Sequence, residues 1–428
     1  MLGNGPPFLS RRAALAGLAA TCATGLAAPV CGVAAEGVAG PVFSPSGPNA
    51  EFYGAVENYP IKDPKLPFTP GNPLSPKYRV GAFSHFDELF PTRLVKRAAT
   101  PWQFKRTPGE VTDPFRARVA DYLSRHPVTG LLIAKDDQIL FEQYQYGRTD
   151  RDLLISQSMV KSIMGMLIGL AIADGAIKSV DDAVETYVPG LKGTEYGATP
   201  LRALLHMSSG VDFGEEQDND RDLNRLWIDM VAGQGWPKKG TVASIAQFNR
   251  RIAPPGTRFY YASIEPDVLG LVLHYAVKKS ASDYFREKVW EPIGAEADAK
   301  WLIDAEGFEV AHFAFNAVLR DYARLGRLLA YDGAWEGKQI IPAQWMVDAT
   351  TTRPSDAYLA PGRTSPSALG YGYLIWLLPG TRRQFTPIGF YGQRICVDPA
   401  SKLVMVQTAV DDNKEVWRLW SDVVERFG

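Results

Sequence analysis

The sequence predicts an α+β fold: one antiparallel sheet with helices on its faces and a mostly helical subdomain inserted between its strands. Three observations predict it. A hairpin pattern spans residues 130–146, a helical pattern with loops runs from Lys178 to about Leu329, and the C-terminal third returns to strands. Strands near both ends can share one sheet only if the helical block (about 178–330) is an insertion.

The elements follow in order. Residues 36–110 are rich in Pro and Gly with little periodicity, which reads as an extended N-terminal arm, most ordered at 83–93. Residues 115–125 have the spacing of a short amphipathic helix. In the hairpin, Leu131 to Ala134 and Ile139 to Phe141 flank the turn Lys135-Asp136-Asp137-Gln138. A long segment from Ser158 to Asp174-Gly175 follows. It is apolar nearly all round from Ile163 to Ile172, the pattern of a buried helix. Pro266 opens a further helix with Val268, Leu269, Val272, Leu273 and Ala276 at helical spacing. Another covers 321–331, with Leu325, Leu328 and Leu329 on one face. Strands are expected at 371–377, 384–388, 393–397 and 403–408, with a turn at Asp398-Pro399-Ala400-Ser401. An amphipathic helix at 416–427 closes the chain, and no internal repeat is present.

The 428 residues are 46% hydrophobic and 22% charged, which suits a large core. A net charge of −1 offers no basic excess for nucleic acid. Ser10-Arg11-Arg12 leads into a small, apolar, uncharged stretch ending at Val33-Ala34-Ala35. Residues 1–35 therefore read as a twin-arginine signal peptide, and the mature protein is expected to be periplasmic or secreted, with no stable membrane span. Removing two arginines and no acid takes the net charge from −1 to −3. Cys22 and Cys31 leave with the signal, so Cys396 alone remains and no intramolecular disulfide can form. Its setting, Arg394-Ile395-Cys396-Val397, is strand-like and suggests a buried structural thiol.

The chemistry concentrates at Ser158-Met159-Val160-Lys161. Residues i and i+3 of a helix share a face, one turn apart. A serine alcohol is a poor nucleophile unless a base lies beside it. A lysine held out of water loses proton affinity and can serve as that base. The helix start also brings free N–H groups and the positive dipole end to Ser158, which suits a developing oxyanion. Two downstream segments can complete such a site. Pro255-Gly256-Thr257-Arg258-Phe259-Tyr260-Tyr261-Ala262-Ser263 turns and ends just before a helix. Pro387-Ile388-Gly389-Phe390-Tyr391-Gly392-Gln393 carries glycines on a strand, where a backbone can approach a ligand.

The histidines are His85, His126, His206, His274 and His312. No Gly-x-Ser-x-Gly elbow and no His-Glu-x-x-His helix occurs, so a Ser-His-Asp hydrolase and a zinc peptidase are unsupported. No cluster has metal spacing and no phosphate loop follows a strand, so no cofactor or metal is expected. The stretch 212–236 holds Asp212, Glu215, Glu216, Asp218, Asp220 and Asp222 with Trp227 and Trp236. It reads first as a solvated loop, and otherwise as a lid whose acids attract an amine-bearing substrate.

From about Pro114 to the C-terminus, the landmarks together resemble the penicillin-recognising serine hydrolases. These are the class C β-lactamases, their esterase relatives and above all the nylon-oligomer (6-aminohexanoate-dimer) hydrolases. Ser158-Met159-Val160-Lys161 matches the nucleophile motif. Leu204-Leu205-His206-Met207-Ser208-Ser209-Gly210 resembles the segment that follows it, with Met207 where most members carry His. Pro255-Gly256-Thr257-Arg258-Phe259-x-Tyr261 matches the tyrosine motif, and residues 321–329 and Tyr371-Gly372-Tyr373 match further landmarks. Residues 83–93 also look like the segment preceding the domain in the nylon-oligomer branch.

The resemblance implies a β-lactamase/transpeptidase-like fold and an acyl-enzyme mechanism on an ester or linear amide. Ser158 would be the nucleophile, and Lys161 and Tyr261 would share base and acid work. The N–H groups of Ser158 and Phe390 would bind the oxyanion, with Gly389 and Ser263 beside them. Tyr260 competes with Tyr261, whose spacing fits better. His206, one place before the family's usual His, reads as structural. Two positions depart from the β-lactamases. Pro387-Ile388-Gly389 stands where they carry Lys-Thr-Gly, which argues against an efficient β-lactamase or transpeptidase. Tyr261-x-Ser263 replaces Tyr-x-Asn, as is common in the nylon-oligomer and esterase branches. A D-amino-acid peptidase, a weak β-lactamase and an inactive binding protein remain the alternatives. The sequence does not fix the oligomeric state.

Overall fold

The computed structural model describes residues 40–55, 73–106, 114–215, 221–232, 239–364 and 368–428. The signal-like residues 1–35 lie outside them, and the described residues all belong to the unit starting at Val38.

The hairpin forms as Val128–Lys135 and Gln138–Tyr144, with Asp136 in the left-handed region at φ 54° to close the turn. Val128–Lys135 pairs on its other side with Leu403–Ala409, followed by Gln393–Asp398, Phe385–Thr386, Trp376–Leu377 and Gly370–Tyr371. These neighbours are all antiparallel. Two short strands from the N-terminal segment, Val42–Phe43 and Lys105–Arg106, join Gln138–Tyr144 in parallel. The chain thus spans the sheet from both ends, with the helical block between, as expected.

Side chains alternate across a strand, so each face of the sheet collects its own residues. Leu131, Ile133, Leu403, Met405 and Cys396 pack under the helices Pro114–Arg125 and Val416–Phe427, against Val119, Leu123, Leu419 and Trp420. Leu132, Ala134, Val404, Val406, Ile395 and Val397 face the larger core. There the helix Leu319–Ala330 lies on the sheet at Gly326, where a Cβ would stand 2.4 Å from Val404 Cγ1.

The expected elements are corrected in four places. The run 371–377 is two short strands, because Gly372 N–H donates to Ile375 O at 2.8 Å and Leu374 takes φ 55°. The run 384–388 is interrupted at Pro387, which has no N–H to give; Ile388–Gly389 pairs separately with Gln393–Asp398. The block 178–329 contains two strands, Ala299–Leu302 and Phe315–Ala317, too short to show a period. With Thr92–Val95 and Leu154–Ile155 they form a second, four-stranded sheet. Finally, the described part of 36–110 is only partly extended, since it includes the helices Arg79–Ser84 and Phe86–Leu89. Arg93 to Glu309 at 2.6 Å and Lys300 to Asp87 at 2.7 Å tie it to the helical block.

Within the block, Ile264–Val277 and Ala281–Phe285 pack against Val160–Ala173, whose residues 160–171 are all buried, and Leu201–Leu205 and Thr241–Ala246 pack against Ile264–Val277. No helix among the described residues is long and apolar enough to cross a membrane.

Candidate active site

Ser158 lies in a 3₁₀ turn, Gln157–Met159, that leads directly into the helix Val160–Ala173. The nucleophile candidate therefore precedes the α-helix instead of occupying its first turn. The three-residue spacing still brings the pair together: Lys161 Nζ donates to Ser158 Oγ at 2.8 Å. A second bond, 2.9 Å to the carbonyl oxygen of His312, fixes the amine. Lys161 is only 2% exposed, so this amine is not a surface charge. A buried amine touching a serine hydroxyl can take its proton.

The turn is held on both sides. Ser156 N–H donates to Phe315 O at 2.7 Å, Phe315 N–H donates to Ser156 Oγ at 3.0 Å, and Gln157 adopts φ 47°. A left-handed residue without a β-branch is tolerated when its surroundings impose it. The strand Phe315–Ala317 imposes it here.

The two tyrosines separate. Lys161 Nζ stands 4.9 Å from the centre of the Tyr261 ring. That ring is stacked on Trp376 at 5.7 Å and meets Tyr371 edge-on at 6.3 Å, which fixes its plane. Tyr260 instead lines an outer cleft with Asp212, Ile252 and Arg258. Ser263 is buried at the head of Ile264–Val277, and its hydroxyl donates to Glu215 Oε1 at 2.5 Å. Its N–H donates to the other oxygen of the same carboxylate.

Glu215 corrects the reading of its stretch as a solvated loop. Its carboxyl is turned inward, and burial pushes its pKa above the usual carboxylate range, a rise opposed by the Lys161 charge and by Ser263. Asp212 pairs with Arg250, and Asp222 accepts from Gly214 N–H at 2.8 Å. Glu216, Asp218, Asp220 and Trp236 lie outside the described residues. Behind Ser263, Glu265 is fully buried, which raises its pKa to about 8.

Gly389 packs against the nucleophile turn: a Cβ there would lie 2.3 Å from Ser156 O and 2.7 Å from Gln157 Cβ. Phe390 follows it and is 64% exposed. Among the remaining sequence candidates, His206 is buried, packs on Tyr373 at 5.0 Å, and has its pKa lowered by burial to about 4. Burial raises the Cys396 thiol to about 11, which keeps it unreactive. No group of His, Cys, Asp or Glu among the described residues could hold a metal ion. Sequence reasoning named Glu215 only as a loop or lid acid and His312 only among the histidines, and it missed Asp267 and the place of all three beside the site. Only their burial and hydrogen bonds reveal them.

Three comparisons bear on this arrangement. The beta-lactamase family model matches residues 115–416. The 6-aminohexanoate-dimer hydrolase of Paenarthrobacter ureafaciens is 26% identical over 334 residues, covering 76% of this chain and 84% of that protein. A protein of Bacillus anthracis described as a 6-aminohexanoate-dimer hydrolase superposes with a TM-score of 0.73 at 23% identity, over 83% of this chain and 95% of that one. A family VIII carboxylesterase superposes with a TM-score of 0.55 at 18% identity, over 73% of this chain and 95% of that one. The chain belongs to the beta-lactamase family and is a serine hydrolase of that fold.

Proposed function

We propose that the protein hydrolyses a carboxylic ester or a linear amide through an acyl-enzyme on Ser158. The observation that carries this reading is the 2.8 Å contact between a buried lysine amine and the serine hydroxyl. Lys161 takes the Ser158 proton as Oγ attacks the substrate carbonyl. The backbone N–H groups of Ser158 and Phe390 receive the oxyanion. The leaving alkoxide or amine collects a proton by way of Lys161 and Tyr261, whose ring lies against the amine. Water then attacks the acyl group, with the same pair working in reverse.

The substrate class follows from what surrounds the serine. Pro387 and Ile388 offer no cation for a substrate carboxylate, while Trp376, Tyr371 and the exposed Phe390 are aromatic. This favours a neutral, apolar substrate, and esters over β-lactams. The similarity to a 6-aminohexanoate-dimer hydrolase extends the reading to linear amides. Residues 1–35 direct export through a twin-arginine route, and sequencing the N-terminus of the secreted protein checks this.

The test is labelling with a fluorophosphonate and mapping of the adduct. A single adduct on Ser158, absent in Lys161→Ala, is the expected result. An adduct elsewhere, or none with the fold intact by circular dichroism, overturns the reading.

A further inference from the structure

We propose that Asp267 and His312 are positioning residues that aim the Lys161 amine at Ser158, an inference that rests on the Ser158–Lys161 reading above. Asp267 lies on the helix Ile264–Val277, whose N-cap Ser263 follows Tyr261 by two residues. Its carboxylate reaches out of that helix to the turn before Phe315–Ala317. Oδ1 accepts the Ala311 N–H at 2.8 Å, and Oδ2 meets His312 Nδ1 at 2.7 Å. Both side chains are buried, 1% and 7% exposed. One carboxylate thus holds residues 311 and 312 at two points, and the His312 carbonyl is the group that accepts from Lys161 Nζ.

The geometry gives this contact a purpose. A neutral lysine amine has two N–H bonds and one lone pair, and it turns freely about its carbon–nitrogen bond. With one N–H held by the His312 carbonyl, another position on Nζ faces Ser158 Oγ, 2.8 Å away: the charged amine donates there, and the neutral amine can turn its lone pair to that position to receive the serine proton. The Ser158 proton then passes to Nζ as Oγ bonds to the substrate carbonyl carbon. The element that presents Tyr261 and the carbonyl that aims Lys161 are joined by a single side chain, so the two proton-handling groups are set in mutual register.

The test measures kcat and KM for a p-nitrophenyl ester in Asp267→Ala, Asp267→Asn and His312→Ala, each per active site titrated with fluorophosphonate so that unfolded protein does not count. Asparagine can still accept the Ala311 N–H and can pair with the other tautomer of His312. The expected result is a kcat at least tenfold lower in Asp267→Ala with KM within twofold, and recovery to within about fivefold of wild type in Asp267→Asn. An unchanged kcat per site in Asp267→Ala, or a rise in KM alone, overturns the proposal. An Asp267→Asn variant as impaired as Asp267→Ala overturns it in favour of a role for the charge. If Asp267→Ala yields no titratable sites, His312→Ala decides: a lowered kcat with KM held supports positioning, and wild-type kcat refutes it. Ser158→Ala is assayed in parallel. Activity surviving there defeats the functional reading itself, whereas activity lost there but unchanged in Asp267→Ala defeats only the positioning role.

Discussion

Gly389 and Ser156 touch so closely that a Cβ on Gly389 would lie 2.3 Å from the Ser156 carbonyl oxygen. The contact involves backbone on both sides, so neither partner can move aside cheaply. Gly389→Ala is expected to displace Phe390 and its N–H from the nucleophile turn. Loss of one oxyanion donor costs about 10²–10³ in kcat. Steady-state kinetics on an ester should show that loss with KM little changed. Wild-type kcat would mean that Phe390 N–H does not serve the oxyanion.

Phe390 separates backbone from side chain. Its ring is exposed, so Phe390→Ala should change stability by no more than about 0.5 kcal/mol. The N–H remains, and kcat on an acetate ester should stay within threefold, while KM rises for aromatic or long-chain esters. A KM equally raised for acetate would remove the ring from substrate selection.

Lys161→Met keeps the buried stem and removes the amine. It leaves Ser158 without the amine proposed as its base and the His312 carbonyl without its donor. General-base loss is worth about 10²–10⁴ in rate, and the rate of fluorophosphonate labelling should fall by that factor. Labelling at the wild-type rate would transfer the base role to another group.

Glu265 gives a pH signature. Its folded pKa, raised to about 8 by burial, lies above its unfolded value, so the native state holds the proton more tightly. Stability from this group is therefore full below about pH 4.5 and is lost as pH rises toward 8. Glu265→Gln keeps an acceptor for the Ser209 N–H and never ionises. It should raise Tm over wild type at pH 8–9, by the equivalent of roughly 2–4 kcal/mol, and hardly at pH 5. A pH-independent difference in Tm would show that Glu265 does not titrate in this range.

Gly326 tests how the sheet is covered. Gly326→Ala places a methyl 2.4 Å from Val404 Cγ1 and 2.9 Å from Ile395 Cγ2. Overpacking of this kind costs about 1–3 kcal/mol, so urea unfolding should show a lower midpoint with an unchanged slope. An unchanged midpoint would mean that the helix Leu319–Ala330 shifts at no cost.

What was legible in the sequence was whatever repeats locally. Val160–Ala173 and Leu403–Ala409 announce themselves through the apolar runs 163–173 and 403–406, and Ser158 and Lys161 lie on one turn. Tyr261 came from its motif, in which the spacing from Phe259 sets it above Tyr260. Ala299–Leu302 and Phe315–Ala317 were hidden because three or four residues hardly define a period. The long-range contacts of Glu215, Asp267 and His312 were hidden for another reason. Glu215 meets Ser263 across 48 residues of chain, Asp267 meets His312 across 45, and His312 meets Lys161 across 151. No local pattern encodes contacts of that range. A glutamate in an acid-rich stretch looks like a solvated one until its burial is seen.

The family match begins at residue 115, yet Thr92–Val95 is an outer strand of the four-stranded sheet, in register with Ala299–Leu302 from Thr92 opposite Leu302 to Val95 opposite Ala299. A chain started at the match boundary would bare the ladder groups of Ala299–Leu302. Exposed strand edges recruit other chains. Trimming this protein to its recognisable domain would thus produce an aggregating fragment, and the stretch that family models pass over serves as a built-in guard on that edge.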